Sequence, residues 1–197
     1  MDAKFSREKR VVIGVSGASG AALAKIVILA FARVAKVHAI VSAAARQTAL
    51  AEGENLDEAL NATAAVYSPD DFAAPPASGS WRHDGMVVCP CSMASLAAIA
   101  SGAGTNLLHR AADVTLKENL PLALSPRETP LNLAHLRNMV AAREIGAIIM
   151  PFMPAFYAPG ETMAHAARQF AGRLMDQLGF VHDLCRRWGE DCGATRV

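Results

Sequence analysis

The chain has 197 residues, 52% of them hydrophobic and 19% charged, with 19 basic against 18 acidic side chains, which predicts one ordinary globular domain because domains run about 100–200 residues. A formal net charge of +1 and 6% aromatic content supply neither the long-range field nor the stacking platforms that general nucleic-acid binding needs. The uncharged run from Gly85 to His109 is interrupted by Pro90, Ser92, Ser95 and Ser101, so it does not read as a membrane span of about 20 apolar residues.

In chain order, residues 1–9 form a charged N-terminal extension that leads into Gly14 and a Gly-rich turn rather than a cleavage site. No export signal is read, and the expected location is cytoplasmic. Val11 to Val15 is a β-branched strand, Ser16 to Gly20 a tight turn, and Ala21 to Val34 a helix. Val37 to Val41 is a second strand, followed at Ser42 by a helix over Ala43 to Ala51. Residues 53–81, rich in acids and then in Pro, Ser and Gly, read as a long loop. Met86 to Cys89 is a third strand and Met93 to Ala100 its helix. Arg110 to Glu118 is helical, Leu122 to Leu124 a strand, Leu131 to Arg143 a helix, and Ala147 to Met150 a strand stopped by Pro151. Glu161 to Leu178 is helical, and residues 180–197 form a polar tail containing Trp188. Strands alternating with helices predict an α/β class: a single doubly wound, mostly parallel sheet, Rossmann-like, spanning residues 1–197.

Cys89, Cys91, Cys185 and Cys192 fit neither a disulfide scaffold nor a paired zinc signature, so reduced thiols and no metal are expected. In a doubly wound sheet, ligands sit where the strands end. Gly17-Ala18-Ser19-Gly20 has the small side chains that let backbone N–H groups approach a phosphate, although a plain strand-to-helix turn explains it as well. Ser42 and the run Ser92-Met93-Ala94-Ser95 are each either helix caps or part of a ligand cradle. Arg110 and Lys117 lie two helical turns apart on one face, and Arg127 follows a strand directly. These three cations suit a phosphate site, or else a solvated face paired with Asp113 and Glu118.

Taken together, Gly17-Ala-Ser-Gly20, Pro90-Cys-Ser92, Arg110-Ala-Ala-Asp-Val-Thr-Leu-Lys117-Glu118, Pro126-Arg-Glu-Thr-Pro130, His135-Leu-Arg-Asn-Met139, Ile145-Gly-Ala-Ile-Ile-Met-Pro151 and Pro154-Ala-Phe-Tyr157 resemble the UbiX-type flavin prenyltransferase family, in order, from about Val11 to Trp188. The resemblance implies a flavoprotein, usually a dodecamer, that binds FMN at a subunit interface. It further implies transfer of a dimethylallyl group from dimethylallyl phosphate to N5 and C6 of reduced FMN without a metal, with the product passed to a UbiD-type decarboxylase. By the same resemblance Gly17, Ala18, Ser19, Ser42, Ser92, Met93, Ala94, Ser95 and Arg127 match FMN-contacting positions. Arg110, Lys117, Arg127, Glu128, Tyr157 and Arg173 match the surroundings of the prenyl phosphate. Ser19, Glu52, Glu128 and Trp188 are the implied catalytic candidates, with Glu52, or the released phosphate, as the base.

Those residue types suit the reaction. Ionising an allylic phosphate needs fixed cations at the leaving group and a π-rich wall, here Tyr157 and Trp188, beside the developing carbocation. The chain departs from the family pattern at Leu23, Ala24 and Ala43. A non-prenylating FMN-binding or carrier protein is the alternative. The flavin-dependent decarboxylases of cysteine-derived substrates fit less well with Arg127-Glu128-Thr129-Pro130 and Pro154-Ala-Phe-Tyr157.

Overall fold

The computed structural model describes residues 7–157 and 162–189. Six parallel strands, β1 (Arg10–Val15), β2 (Lys36–Val41), β3 (Ala65–Tyr67), β4 (Met86–Cys91), β5 (Leu122–Pro126) and β6 (Ile148–Ile149), form one sheet in the order β3-β2-β1-β4-β5-β6. Among the described residues, seven helices connect and flank them: α1 (Ala21–Ala32), α2 (Ala43–Ala51), α3 (Asp57–Asn61), α4 (Met93–Ser101), α5 (Leu107–Lys117), α6 (Leu133–Glu144) and α7 (Met163–Gln177). The doubly wound parallel sheet expected from the strand–helix alternation is the fold observed.

Residue alternation along a strand sends neighbours to opposite faces. Val11, Ile13 and Val15 therefore join the core beneath α1 and α7, while Val12 joins the core beneath α4 and α5. Both faces of β1 and β4 are buried, which is why their sequences are continuous apolar runs.

The expected loop over residues 53–81 is corrected. It holds α3, the edge strand β3 and a 3₁₀ turn at Pro75–Ala77. β3 has only three residues and is partly exposed, so it carries no alternation long enough to read from sequence. Helix α5 begins earlier than Arg110, because the Asn106 side chain accepts the His109 N–H and starts the helix at Leu107. Strand β4 runs on through Pro90 to Cys91. Among the described residues no helix is long and apolar enough to cross a membrane.

Candidate functional site

The strand order reverses direction between β1 and β4, and such a switch point opens a crevice at the carboxyl ends of the strands. Ser16, 2% exposed, ties its two walls together: its Oγ donates to the Pro90 carbonyl at 3.1 Å and accepts the Ser92 N–H at 2.7 Å. In sequence Ser16 reads only as the start of a turn. A hydroxyl at the end of a buried strand was the available signal.

The turn after β1 is shaped by packing as much as by ligand access. A Cβ at Gly17 would lie 2.5 Å from the Ala44 Cβ on α2, so glycine is required there by close approach. Gly20 adopts φ of 125°, a region open mainly to glycine. The N-terminus of α1 is not an open anion site. Glu52 fills it, accepting the Gly20 N–H at 2.9 and 3.2 Å and the Ala21 N–H at 2.8 Å. The carboxylate thus does for α1 what a cap residue or phosphate would do. Partial burial pushes the Glu52 carboxyl up, but hydrogen bonds from Ser19, Ala21 and Gly20 and the nearby Arg127 charge outweigh that and hold it below the usual carboxylate range. Ser19 and Glu52, from separate segments, are therefore joined by a hydrogen bond, and Arg127, from a third, lies near enough for its charge to act on the carboxylate.

Ser42 and Ser92 both act as caps, accepting the N–H of Ala45 at 3.0 Å and of Ser95 at 3.2 Å. Met93 and Ala94 lie in the first turn of α4, where N–H groups have no intrahelical acceptor. The Ser92 hydroxyl donates to Ser95 Oγ at 3.2 Å, and Ser95 Oγ lies 3.2 Å from Nε2 of His109. Burial lowers the His109 pKa, and its buried Nδ1 has no hydrogen-bond partner among the described residues. The backbone N–H of Arg127 donates to the Cys91 carbonyl at 3.1 Å, which fixes the loop after β5 beside β4. Glu128 is exposed and accepts the following Thr129 N–H at 3.0 Å.

The predicted cations do not converge within one chain. Arg110 and Lys117 do share a face of α5, and the segment around Pro75–Ala77 covers it: Arg110 Nε donates to the Ala77 carbonyl at 3.2 Å, and Gly79 lies against Lys117. Arg110 pairs with Asp113 at 2.6 Å and Lys117 with Glu118, the ion pairs of the solvated-face reading. Lys117 ends α5 just before the chain enters β5, whereas Arg127 leaves β5 at its other end. Five residues at about 3.3 Å each put these two positions roughly 16 Å apart, at opposite edges of the sheet. Arg173 sits on α7, paired with Asp176 at 2.7 Å. Tyr157 and Trp188 do meet, with ring centroids 5.1 Å apart and planes at 85°.

Cys89 and Cys91 are fully buried, and burial pushes the Cys89 thiol up to about 12 and the Cys91 thiol up as well. Neither is a nucleophile at neutral pH. Cys192 lies outside the described residues. Sequence reading also missed the cluster of Asp176, His182 and Cys185, which only the packing of the tail on α7 assembles.

Residues 3–171 match the Flavoprotein family. The chain is 43% identical to the flavin prenyltransferase UbiX of Salmonella typhimurium, with 91% of this chain and 98% of that protein covered. Its structure is similar to that of AnUbiX (PadA1) in complex with FMN and dimethylallyl pyrophosphate, with a TM-score of 0.88, 40% identity and coverage of 92% and 98%. It is also similar to a dodecameric FMN-dependent Ubix-like decarboxylase from Escherichia coli O157:H7, with a TM-score of 0.86, 38% identity and coverage of 91% and 98%.

Proposed function

This chain belongs to the family of UbiX-type flavin prenyltransferases, and we propose from that premise that it joins a dimethylallyl group from dimethylallyl phosphate to reduced FMN. The observation that carries the site assignment is that Glu52 bonds the turn after β1 while the Arg127 N–H bonds the end of β4, which brings both segments to the carboxyl edge of the switch point. FMN fits this edge by its donor chemistry. Small and hydroxyl side chains at Gly17, Ala18, Ser19, Ser42, Ser92, Ala94 and Ser95, together with Met93, border it, and Arg127 supplies a cation for phosphate. When bound, reduced FMN supplies the nucleophile for alkyl transfer.

The protein's own work is then binding, charge placement and exclusion of water. Arg127 neutralises phosphate at the crevice, and Ser19 orients its hydroxyl between Glu52 and the ligand. Tyr157 and Trp188 offer the π surface for the prenyl cation. Glu52, held ionised below its usual range, is a weak base in this arrangement, so the phosphate released from the donor shares the proton-accepting role with it.

Lys117, Arg110 and Arg173 reach the donor phosphate from neighbouring copies of the chain. α6 supports such an assembly. It buries only Ala142, while Leu133, Leu136 and Val140 are 60%, 46% and 58% exposed along one side. A helix of a soluble monomer rarely presents an apolar stripe to water. A homo-oligomer, as large as a dodecamer, buries this stripe and completes the site. The prenylated product serves a UbiD-type decarboxylase, and the protein works in the cytoplasm.

The test is mass spectrometry of the flavin after incubating the purified protein with reduced FMN and dimethylallyl phosphate. A flavin heavier by one dimethylallyl unit is expected. Recovery of unmodified FMN from a protein that binds it tightly would instead support a cofactor carrier.

A further inference from the structure

The tail after α7 has no regular secondary structure over residues 181–189, yet it is fastened to that helix at successive points. The His182 side chain is 2% exposed. Its Nδ1 accepts the Leu184 N–H at 3.1 Å, which leaves the ring proton on Nε2, 2.9 Å from Asp176. Arg187 grips both oxygens of the same carboxylate at 3.3 and 2.9 Å, and Arg173 reaches it at 2.7 Å. Gln169, 7% exposed, accepts the Arg186 N–H at 2.8 Å and donates to the Arg186 carbonyl at 2.9 Å, as a paired strand would. Cys185 Sγ donates to the Gln169 carbonyl at 3.1 Å.

From His182 to Arg186 these contacts run backwards along α7, from Asp176 to Gln169, as the tail runs forwards, while the Arg187 side chain reaches back to Asp176. The tail therefore lies antiparallel to the helix and delivers Trp188 to Tyr157. Trp188 is 79% exposed, so its own burial does too little to fix its place. Its neighbours Arg186 and Arg187 do so through Gln169 and Asp176.

We propose that Asp176, with His182, Arg187 and Gln169, forms a clasp that positions Trp188 against Tyr157 and thereby sets the wall facing the prenyl donor. The clasp rests on the function proposed above in one respect, that this aromatic pair faces the donor. The liganding atoms of Asp176, His182 and Cys185 lie within 4.8 Å of one another, the spacing of a metal site. Their hydrogen bonds and two arginines argue instead for an ion-pair anchor, because a cation would have to displace the guanidinium groups and both histidine bonds.

A double-mutant cycle on the full-length, FMN-loaded protein tests this. Asp176→Asn should lower the prenylation rate about tenfold, the scale of a lost cation–π wall, with FMN affinity changed less than about twofold. Because Asp176→Asn also loosens Arg173, the additivity arm uses Arg187→Ala, which should add nothing in a Trp188→Ala background. Additive losses, or FMN affinity falling in step with rate, would overturn the clasp.

A second readout needs no chemistry. Trp81 and Trp188 are the two tryptophans, so in a Trp81→Phe background the fluorescence anisotropy of Trp188 should drop on Asp176→Asn, and unchanged anisotropy overturns the proposal. Arg187→Ala, on the tail itself, should repeat both results without disturbing α7. Stoichiometric zinc uptake abolished by Asp176→Asn would likewise overturn it. A wild-type protein that prenylates nothing would refute the functional reading alone, and the anisotropy then decides the clasp.

Discussion

Replacing Glu52 by glutamine is expected to weaken the fold as well as the chemistry, because this carboxylate closes the N-terminus of α1. It accepts three close contacts from the Gly20 and Ala21 N–H groups at 2.8 to 3.2 Å. Glutamine keeps one acceptor oxygen but turns an NH2 group toward a backbone donor. A charge at a helix N-terminus contributes about 0.3–1 kcal/mol and a charge-assisted hydrogen bond about 1.5–3 kcal/mol. Glu52 is largely exposed, so water replaces part of what is lost and the net cost is about 1 kcal/mol. For a chain of this length that lowers the melting temperature by about 2–4 °C.

The gap has a defined pH dependence. The folded pKa of Glu52 is lowered from 4.5, so the stabilisation is fully present above pH 4.5 and is lost as pH falls through the folded value. Melting curves of the two proteins, followed by circular dichroism, should differ at pH 7 and converge in acid. Equal melting temperatures at pH 7 would refute the cap. If the overall transfer slows more than tenfold while FMN binding is retained, Glu52 also acts on the reacting flavin, since a cap alone affects the two together.

Gly17→Ala should destabilise by about 1–3 kcal/mol in denaturant titration, since its Cβ meets the Ala44 Cβ at 2.5 Å. Ala44→Gly in the same chain should restore most of that loss. Lys117→Ala and Arg127→Ala should each abolish use of the prenyl donor, yet co-assembled variants should recover activity at about a quarter of the sites, the random-mixing share when each site draws on two copies. No recovery would place both cations in one chain's site. Leu136→Asp on α6 should lower the oligomer mass measured by light scattering, and an unchanged mass would remove α6 from the interface. The Asp176 carboxyl is pushed up by partial burial but pulled further down by Arg187 and His182, to below 3.8. The clasp should therefore hold above that value and release as pH falls beneath it, read as loss of Trp188 anisotropy in the Trp81→Phe background.

The doubly wound sheet was legible along the chain, because β1 and β4 are buried on both faces and their continuous apolar runs end in turns rich in small residues. The family was legible too, through motifs whose order along the chain survives. β3 escaped because three residues on a half-exposed edge leave no periodic trace. Contacts between segments distant in the chain were settled only by the tertiary structure, since nothing local encodes them. Glu52 looks in sequence like any acid at the end of α2, and only the return of that helix to the switch point puts its carboxylate over α1. Arg110 and Lys117 look poised to join Arg127, but α5 carries Lys117 to the far edge of the sheet before β5 begins. The resemblance already set Trp188 beside Tyr157 as one wall, but the Asp176 cluster that brings the two together exists only once the tail has folded back along α7.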